Sequence, residues 1–327
     1  MTTRHPSLDI AAVQRALLHL DLSVYAPLTG ALADHARHYG IDMEAQVPGV
    51  RHYTGWFEAP GYQLAAHAFL PEKPRCTLFI LHGYLDHAGL YRHLIRDALE
   101  QGAAVFIFDL PGHGLSSGER VDIPDFADYQ MVLNAALAQY GPELPAPFYA
   151  LGQSTGGAIL MDHVLSACAR GDTPAFERVL LLAPLLRPAQ WRQIRFGYWL
   201  MHWLKPSVPR VFRRNSSDDA FLQFVRDNDP LQERQVPMGW IGALKQWVAH
   251  MLMLPPCDFP VLLVQGERDE TVDWCGNAEF VRTHFRVVHE ARLPQASHHL
   301  ANERTDLRAP VHVALASLIS PDSVLAT

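Results

Sequence analysis

Apolar residues along this chain fall into short continuous runs that alternate with stripes spaced three and four apart, the signature of buried strands interleaved with amphipathic helices. Two strands, Tyr53 to Glu58 and Gln63 to Leu70, flank a turn at Pro60-Gly61 and form an antiparallel entry to a sheet. The run Cys76 to Leu81 precedes a stripe at Leu90, Leu94, Ile95 and Leu99, then the strand Ala104 to Phe108 and a helix from Pro124 to about Tyr140. Pro147 to Leu151 is a buried strand, and Ile159, Leu160, Val164, Leu165 and Cys168 recur at helical spacing behind it. Strands follow at Val179 to Leu182, Val261 to Gln265 and Val287 to Ala291, and a closing helix runs from Val311 to Ile319 after Pro310. Such alternation predicts an α/β class chain, a mostly parallel central sheet with helices on both faces. The segment between the strands at 179 and 261 does not read as a strand-helix-strand unit. It is an insertion, expected as a helical lid over the carboxyl ends of the strands. Ahead of the sheet, Ile10, Val13, Leu17 and Leu20 predict a helical extension with Gly40 as a stop. The expected divisions are 1–50 for the extension, 51–185 and 257–327 for the core, and 186–256 for the insertion.

Composition narrows the classes. With 327 residues, 49% of them hydrophobic, the chain suits one large domain carrying an insertion or two modest domains, with a sizeable core in either case. A net charge of −7 and an isoelectric point near 6.2 give no basic field, which disfavours nucleic acid as a partner. The cysteines Cys76, Cys168, Cys257 and Cys275 are far apart and read as reduced, packed thiols. Most of the 18 histidines lack ligand spacing, and His298-His299 lacks the i, i+4 arrangement of a metal helix, so neither metal nor cofactor is expected. Arg4, Asp9, Gln14 and Arg15 interrupt any signal-peptide core, and no apolar run reaches the ~18 residues of a membrane span, so the expected location is cytoplasmic.

The chemistry concentrates at Gly152-Gln153-Ser154-Thr155-Gly156, a GxSxG pattern between a predicted strand and a predicted helix. A serine at such an apex needs a strained backbone to push its hydroxyl out of the turn, and Gly152 and Gly156 remove side chains that would collide there. A phosphate loop is the competing reading, and no Lys follows the glycines to support it.

Six blocks in order extend the pattern: Leu81-His82-Gly83-Tyr84-Leu85-Asp86-His87 with Tyr91, Asp109-Leu110-Pro111-Gly112-His113-Gly114-Leu115-Ser116, the elbow itself, Asn228-Asp229-Pro230, Gln265-Gly266-Glu267-Arg268-Asp269, and Ala296-Ser297-His298. On these blocks residues 53 to 320 resemble the monoacylglycerol lipase and lysophospholipase branch of the serine α/β-hydrolases. The family usually has His where this chain has Gln153, and often Met where it has Thr155. The resemblance implies the α/β-hydrolase fold, Ser154 as nucleophile, and a base that takes its proton, a task suited to His at neutral pH. His298 and His299 both qualify by position; the resemblance selects His298, with the acid Glu303 five residues on. Asp269 aligns with the orienting acid, while Asp273 stands where a helix N-cap belongs. Thr155 supplies one oxyanion N–H by elbow geometry, and the resemblance assigns the other to Tyr84.

The insertion should decide the substrate. Five of the seven tryptophans lie between Trp191 and Trp247. As a helix, Trp191, Ile194, Tyr198 and Met201 make one stripe and Phe196, Trp199, Leu200 and Trp203 a second. One stripe suffices for docking, so the second must cover a ligand, a partner or a lipid surface, and Trp199 and Trp203 on it are expected to bind substrate. From Pro184 to Ser217 seven Lys or Arg occur with no Asp or Glu, which suits transient contact with an anionic membrane surface, or equally a solvated basic face. The resulting expectation is hydrolysis of carboxylic esters with apolar acyl chains, of monoacylglycerol or lysophospholipid type. A peptidase or amidase on the same residues, with Glu233 or Asp218 holding a free amine, and a non-catalytic ligand-binding relative are the alternatives.

Overall fold

A computed structural model describes residues 8–320, so expectations for residues 1–7 and 321–327 lie outside the described residues. The extension opens with α1 (Ile10–Ala16), capped by Asp9, whose carboxylate accepts the Ala12 N–H at 3.0 Å. The expected helix does not reach Leu20. At Leu17 the chain turns extended, because the sheet edge offers another partner: the Leu20 N–H donates to the Trp56 carbonyl and the Trp56 N–H to the Leu18 carbonyl, both at 2.8 Å. Gly55 permits that approach, since a Cβ there would lie 2.6 Å from the Leu18 oxygen. The next helix, α2 (Gly30–Tyr39), stops as expected at Gly40, which is left-handed with φ 67°. A single turn, α3 (Met43–Gln46), leads into the sheet.

β1 (Arg51–Ala59) and β2 (Tyr62–Leu70) pair antiparallel. β3 (Cys76–Leu81), α4 (Arg92–Glu100), β4 (Ala103–Phe108), α5 (Ala127–Tyr140), β5 (Phe148–Gln153), α6 (Thr155–Arg170) and β6 (Arg178–Leu182) follow. The helix α5 begins beyond Pro124, at Ala127, whose N–H donates to the Asp125 carboxylate in the preceding turn at 2.8 Å. The insertion then contributes α7 (Trp191–Met201), the short β7 (Ser207–Pro209), α8 (Asp219–Gln223), β8 (Gln235–Pro237) and α9 (Met238–Met251), with β7 and β8 paired antiparallel. β9 (Pro260–Gly266), α10 (Trp274–His284), β10 (Arg286–Leu293) and α11 (Thr305–Ile319) close the chain. Pro310 lies inside α11 and not ahead of it; it removes one bond near the N-terminus, which the helix tolerates.

The eight strands run in the order β1-β2-β4-β3-β5-β6-β9-β10, and from β4 to β10 all neighbours are parallel. β3 and β4 are buried throughout, as strands covered on both faces must be. Side chains alternate between the faces: Phe79, Phe106 and Leu181 pack with α5 and α6, while Leu78, Val105 and Leu180 pack with α4 and α11. Each such side chain contributes about 1.5–3 kcal/mol relative to exposure. Cys275 is exposed, contrary to the expectation of packed thiols, because it stands in the first turn of α10 on the solvent side. No helix among the described residues is long and apolar enough to cross a membrane.

Candidate active site

At the carboxyl edge of the sheet, where ligands of open α/β sheets bind, the loops after β3, β5, β9 and β10 converge. The turn between β5 and α6 sets Ser154 at φ 53° and ψ −110°, a conformation that costs a non-glycine residue roughly 1–3 kcal/mol. Backbone bonds on both sides hold it there. The Ser154 N–H donates to the Leu182 carbonyl at 2.9 Å, and the Ser154 carbonyl accepts from Ala158 and Leu185, each at 3.0 Å. Neither flanking glycine is replaceable: a Cβ on Gly156 would lie 2.0 Å from the Leu81 oxygen, and one on Gly152 would lie 2.4 Å from the Gly156 backbone.

Ser154, His298 and Asp269 meet although they come from three loops. His298 Nε2 lies 2.9 Å from Ser154 Oγ, and His298 Nδ1 lies 2.7 Å from Asp269 Oδ2. A carboxylate only accepts, so Nδ1 carries the proton of the neutral ring and Nε2 is left as acceptor for the hydroxyl. Burial alone would raise the Asp269 carboxyl, but the facing imidazole and the N–H groups of Val272 and Thr271 bring it below the usual carboxylate range. For His298 burial favours the neutral ring, and the Asp269 charge outweighs it, raising the imidazole above its ordinary value. The His298 loop is pinned from two sides. Gln153 Nε2 donates to the His298 carbonyl at 2.9 Å, and Glu303 accepts the Ser297 N–H at 2.6 Å while its other oxygen accepts from Ser217 of the insertion.

The competing residues are engaged elsewhere. Asp273 caps α10 by accepting from the Gly276 N–H, and His299 Nε2 lies 3.2 Å from Asp86 Oδ2, off the line of a hydrogen bond. Thr155 opens α6, so its N–H has no intrahelical acceptor, and both Thr155 and Tyr84 line the cavity at Ser154. Tyr84 is fixed by its hydroxyl, which donates to the Val121 carbonyl at 2.7 Å, and by its ring, stacked on Trp240 at 3.8 Å.

That cavity holds about 360 Å³. One part of its lining is apolar (Leu185, Ile194, Trp240, Ile241, Leu244, Val272) and another polar (Asp86, Arg210, Arg213, Asn215, His299). Trp199 and Trp203 are not among the lining residues. Trp199, on the outer side of α7, is 68% exposed and Trp203, in the turn after it, 85%, so the expected substrate contact is not made inside this cavity. Helical periodicity is the reason: the inward stripe delivers Ile194, and a residue five positions on falls on the far side. Arg210 leaves the predicted surface patch for the cavity wall, whereas Arg213 stays exposed at the cavity's border. Burial lowers the Arg210 pKa, and its guanidinium donates to Gln232 Oε1 at 2.5 Å and lies 4.5 Å from the Phe212 ring centre. Neither carboxylate nominated to hold an amine faces the cavity. Asp218 caps α8, and Glu233 pairs with Arg120 at 2.7 Å.

The support beneath Gly83 and Tyr84 is not legible in the sequence. Tyr91 accepts the Gly83 N–H at 2.9 Å and donates to Asp86 at 3.0 Å, and although burial opposes it, His299, His82 and Tyr91 hold the Asp86 carboxyl well below the carboxylate range. The signal was the block Gly83 to His87 with Tyr91, which shows the residues without their partners.

Residues 72–305 match the family described as serine aminopeptidase, S33. A monoacylglycerol lipase of Mycolicibacterium smegmatis is 34% identical over 269 residues, 74% of this chain and 88% of that protein. A monoglyceride lipase homolog of Monkeypox virus is 29% identical over 246 residues, 73% of this chain and 87% of that protein. A soluble variant of the monoglyceride lipase of Saccharomyces cerevisiae, solved with a substrate analog, superposes with a TM-score of 0.67 at 17% identity over 81% of this chain and 94% of that one. The fold is that of the α/β-hydrolases.

Proposed function

The chain belongs to the serine aminopeptidase S33 family, and from that premise we propose that it hydrolyses carboxylic esters of apolar acyl chains, of monoacylglycerol or lysophospholipid type, through an acyl-enzyme on Ser154. The observation that carries this reading is the hydrogen-bonded line Ser154, His298, Asp269 at the wall of a cavity with an apolar side. In the first step Ser154 Oγ attacks the ester carbonyl while His298 Nε2 takes its proton. Asp269 stabilises the imidazolium so formed. The N–H groups of Tyr84 and Thr155 stabilise the charge on the carbonyl oxygen, the term that usually contributes most. Collapse expels the alcohol, which leaves with the proton from His298. Water then attacks the acyl-enzyme with His298 as base, releasing the acid and restoring Ser154.

The relatives named above as monoacylglycerol and monoglyceride lipases support an ester as substrate. Glu233 and Asp218 are absent from the cavity lining, and the carboxylate that is there, Asp86, already accepts from Tyr91 and faces His299, which weighs against an amine-holding peptidase site. In the same reading the insertion is a lid whose outer face, with Trp199 and Trp203 exposed, makes transient contact with an anionic lipid surface. The test is a series of p-nitrophenyl esters from acetate to palmitate, run beside a monoacylglycerol, lysophosphatidylcholine and an amino-acid p-nitroanilide. Each buried CH₂ is worth ~0.8 kcal/mol, so four added carbons should raise kcat/KM by up to about 200-fold. A flat series, or faster turnover of the anilide, would overturn the ester reading. Trp199→Ala with Trp203→Ala should weaken binding to anionic vesicles and spare soluble esters.

A further inference from the structure

A second and larger cavity, about 900 Å³, lies on the other side of the strip 188–190 from the Ser154 cavity. Pro188, Ala189, Gln190 and Val272 belong to both walls. The strip is fixed as a partition, since Pro188 pairs with Val272 in an isolated antiparallel bridge and the Ala189 N–H donates to the Thr271 carbonyl at 2.9 Å. A ligand on the far side therefore has its own pocket, in the size range of small-molecule sites.

Its lining is unusual for an acidic protein. Arg187, Arg192, Arg195 and Lys245 face one carboxylate, Asp273, and that group already caps α10. None of the four cations has a carboxylate within ion-pair distance among the described residues; Lys245 rests over the Tyr198 ring at 5.2 Å. Arg187 Nε is shut off from solvent and has no acceptor. An unpaired buried donor is costly, which is why such groups are normally satisfied. The N-terminus of α7 opens on the same cavity, with no acidic residue in its first turn and no side-chain cap, so its dipole adds to the positive field. Beside the cations stand apolar walls from Trp191, Val248, Leu252 and Trp274.

From this juxtaposition we infer that the cavity between α7, α9 and the start of α10 is a binding site for a single-chain anionic amphiphile, its acidic head on Arg187 and the neighbouring cations and its chain along the apolar walls. The site does not depend on the chemistry at Ser154. Dodecanoate is the probe, titrated below its micelle concentration into the full chain and followed by calorimetry and by the fluorescence of the wall tryptophans. Dodecanoate should bind at least tenfold more tightly than dodecanol. The variant Arg192→Gln, Arg195→Gln, Lys245→Gln, all at exposed positions, should lose tenfold or more in dodecanoate affinity. Its turnover of p-nitrophenyl acetate should stay unchanged. Raising the salt from about 50 to 500 mM should weaken binding to the native protein far more than to the variant. Arg187→Gln tests the contribution of the half-buried guanidinium separately and should also weaken binding. Equal affinity for dodecanol, no binding of dodecanoate, or dodecanoate binding that ignores the substitutions would each overturn the inference. Binding to phosphatidylglycerol vesicles without binding of monomeric dodecanoate would also overturn it, since the cations would then serve surface contact alone.

Discussion

Two buried His–Asp pairs sit at the same edge of the sheet, and on most measures they are alike. His298 and Asp269 approach to 2.7 Å with side chains 8% and 0% exposed; His87 and Asp229 approach to 3.1 Å with 1% and 0%. In both the carboxyl is held low, Asp229 at about 2, and the imidazole is raised, with burial opposing each shift and the partner's charge outweighing it. Both carboxylates are fully engaged: Asp229 also accepts from Tyr39, Leu231 and Gln232, as Asp269 does from Thr271, Val272 and Gln265. The second ring nitrogen separates them. His298 Nε2 meets a hydroxyl on a strained turn, whereas His87 Nδ1 has no partner among the described residues. A pKa pattern therefore marks the pair without telling what it does. Asp229 ties the extension, through Tyr39, to the β3 loop and the insertion, a structural clamp; the other pair faces the Ser154 hydroxyl.

The largest effect should come from carrying one change across both pairs. Asp269→Asn should lower kcat by about 10³–10⁴-fold in a folded protein, while Asp229→Asn should leave kcat within about tenfold. Ser154→Ala and His298→Ala should be as inactive as their combination, because the residues act as a unit, and Ser154→Ala should abolish labelling by a fluorophosphonate. Equal losses from the two Asp→Asn changes would dissolve the comparison.

Stability should rank them the other way. Breaking a buried pair leaves an uncompensated group, so Asp229→Asn should cost about 3 kcal/mol in urea unfolding. The pH dependence sharpens this. His87, raised on folding, stabilises fully below its unfolded value of ~6.5 and loses that contribution as pH rises through the folded value. Asp229, lowered to about 2, stabilises above its unfolded ~3.8 and loses that as pH falls through about 2. The gap between native protein and Asp229→Asn should thus be widest near pH 5, between the two unfolded values, and narrow as pH rises through the raised value of folded His87. Activity should move oppositely: kcat/KM should rise with pH through a midpoint above ~6.5, as His298 becomes neutral enough to accept a proton.

The smallest effect belongs to the neighbour of His298. His299 meets Asp86 and not Ser154, so His299→Ala should change kcat/KM by tenfold or less. If His299→Ala were the inactive variant and His298→Ala the active one, the base would move by one residue.

What the chain determined by itself was the order of elements and the elbow. Runs of Val, Leu, Ile and Phe at β3, β4 and β5 admit no environment but a sheet covered on both faces, and Gly152 and Gly156 are the only residues that fit where backbone passes within 2–3 Å of a built Cβ. Such constraints are local, and local pattern displays them. Tertiary structure decided everything set by partners distant in sequence. Leu17 to Leu20 left the helix for the edge of β1, which no periodicity announces. The outward side of α7 took Trp199 away from the cavity, Trp203 lies exposed in the turn after that helix, and Arg210 turned into the cavity wall. Asp86, His87 and Asp229 stood in quoted motifs, yet their roles were undecided until folding set His87 against Asp229 and Asp86 beneath Gly83. A side chain's type and spacing fix what bonds it can make; only the packing of segments remote along the chain selects which of those bonds form.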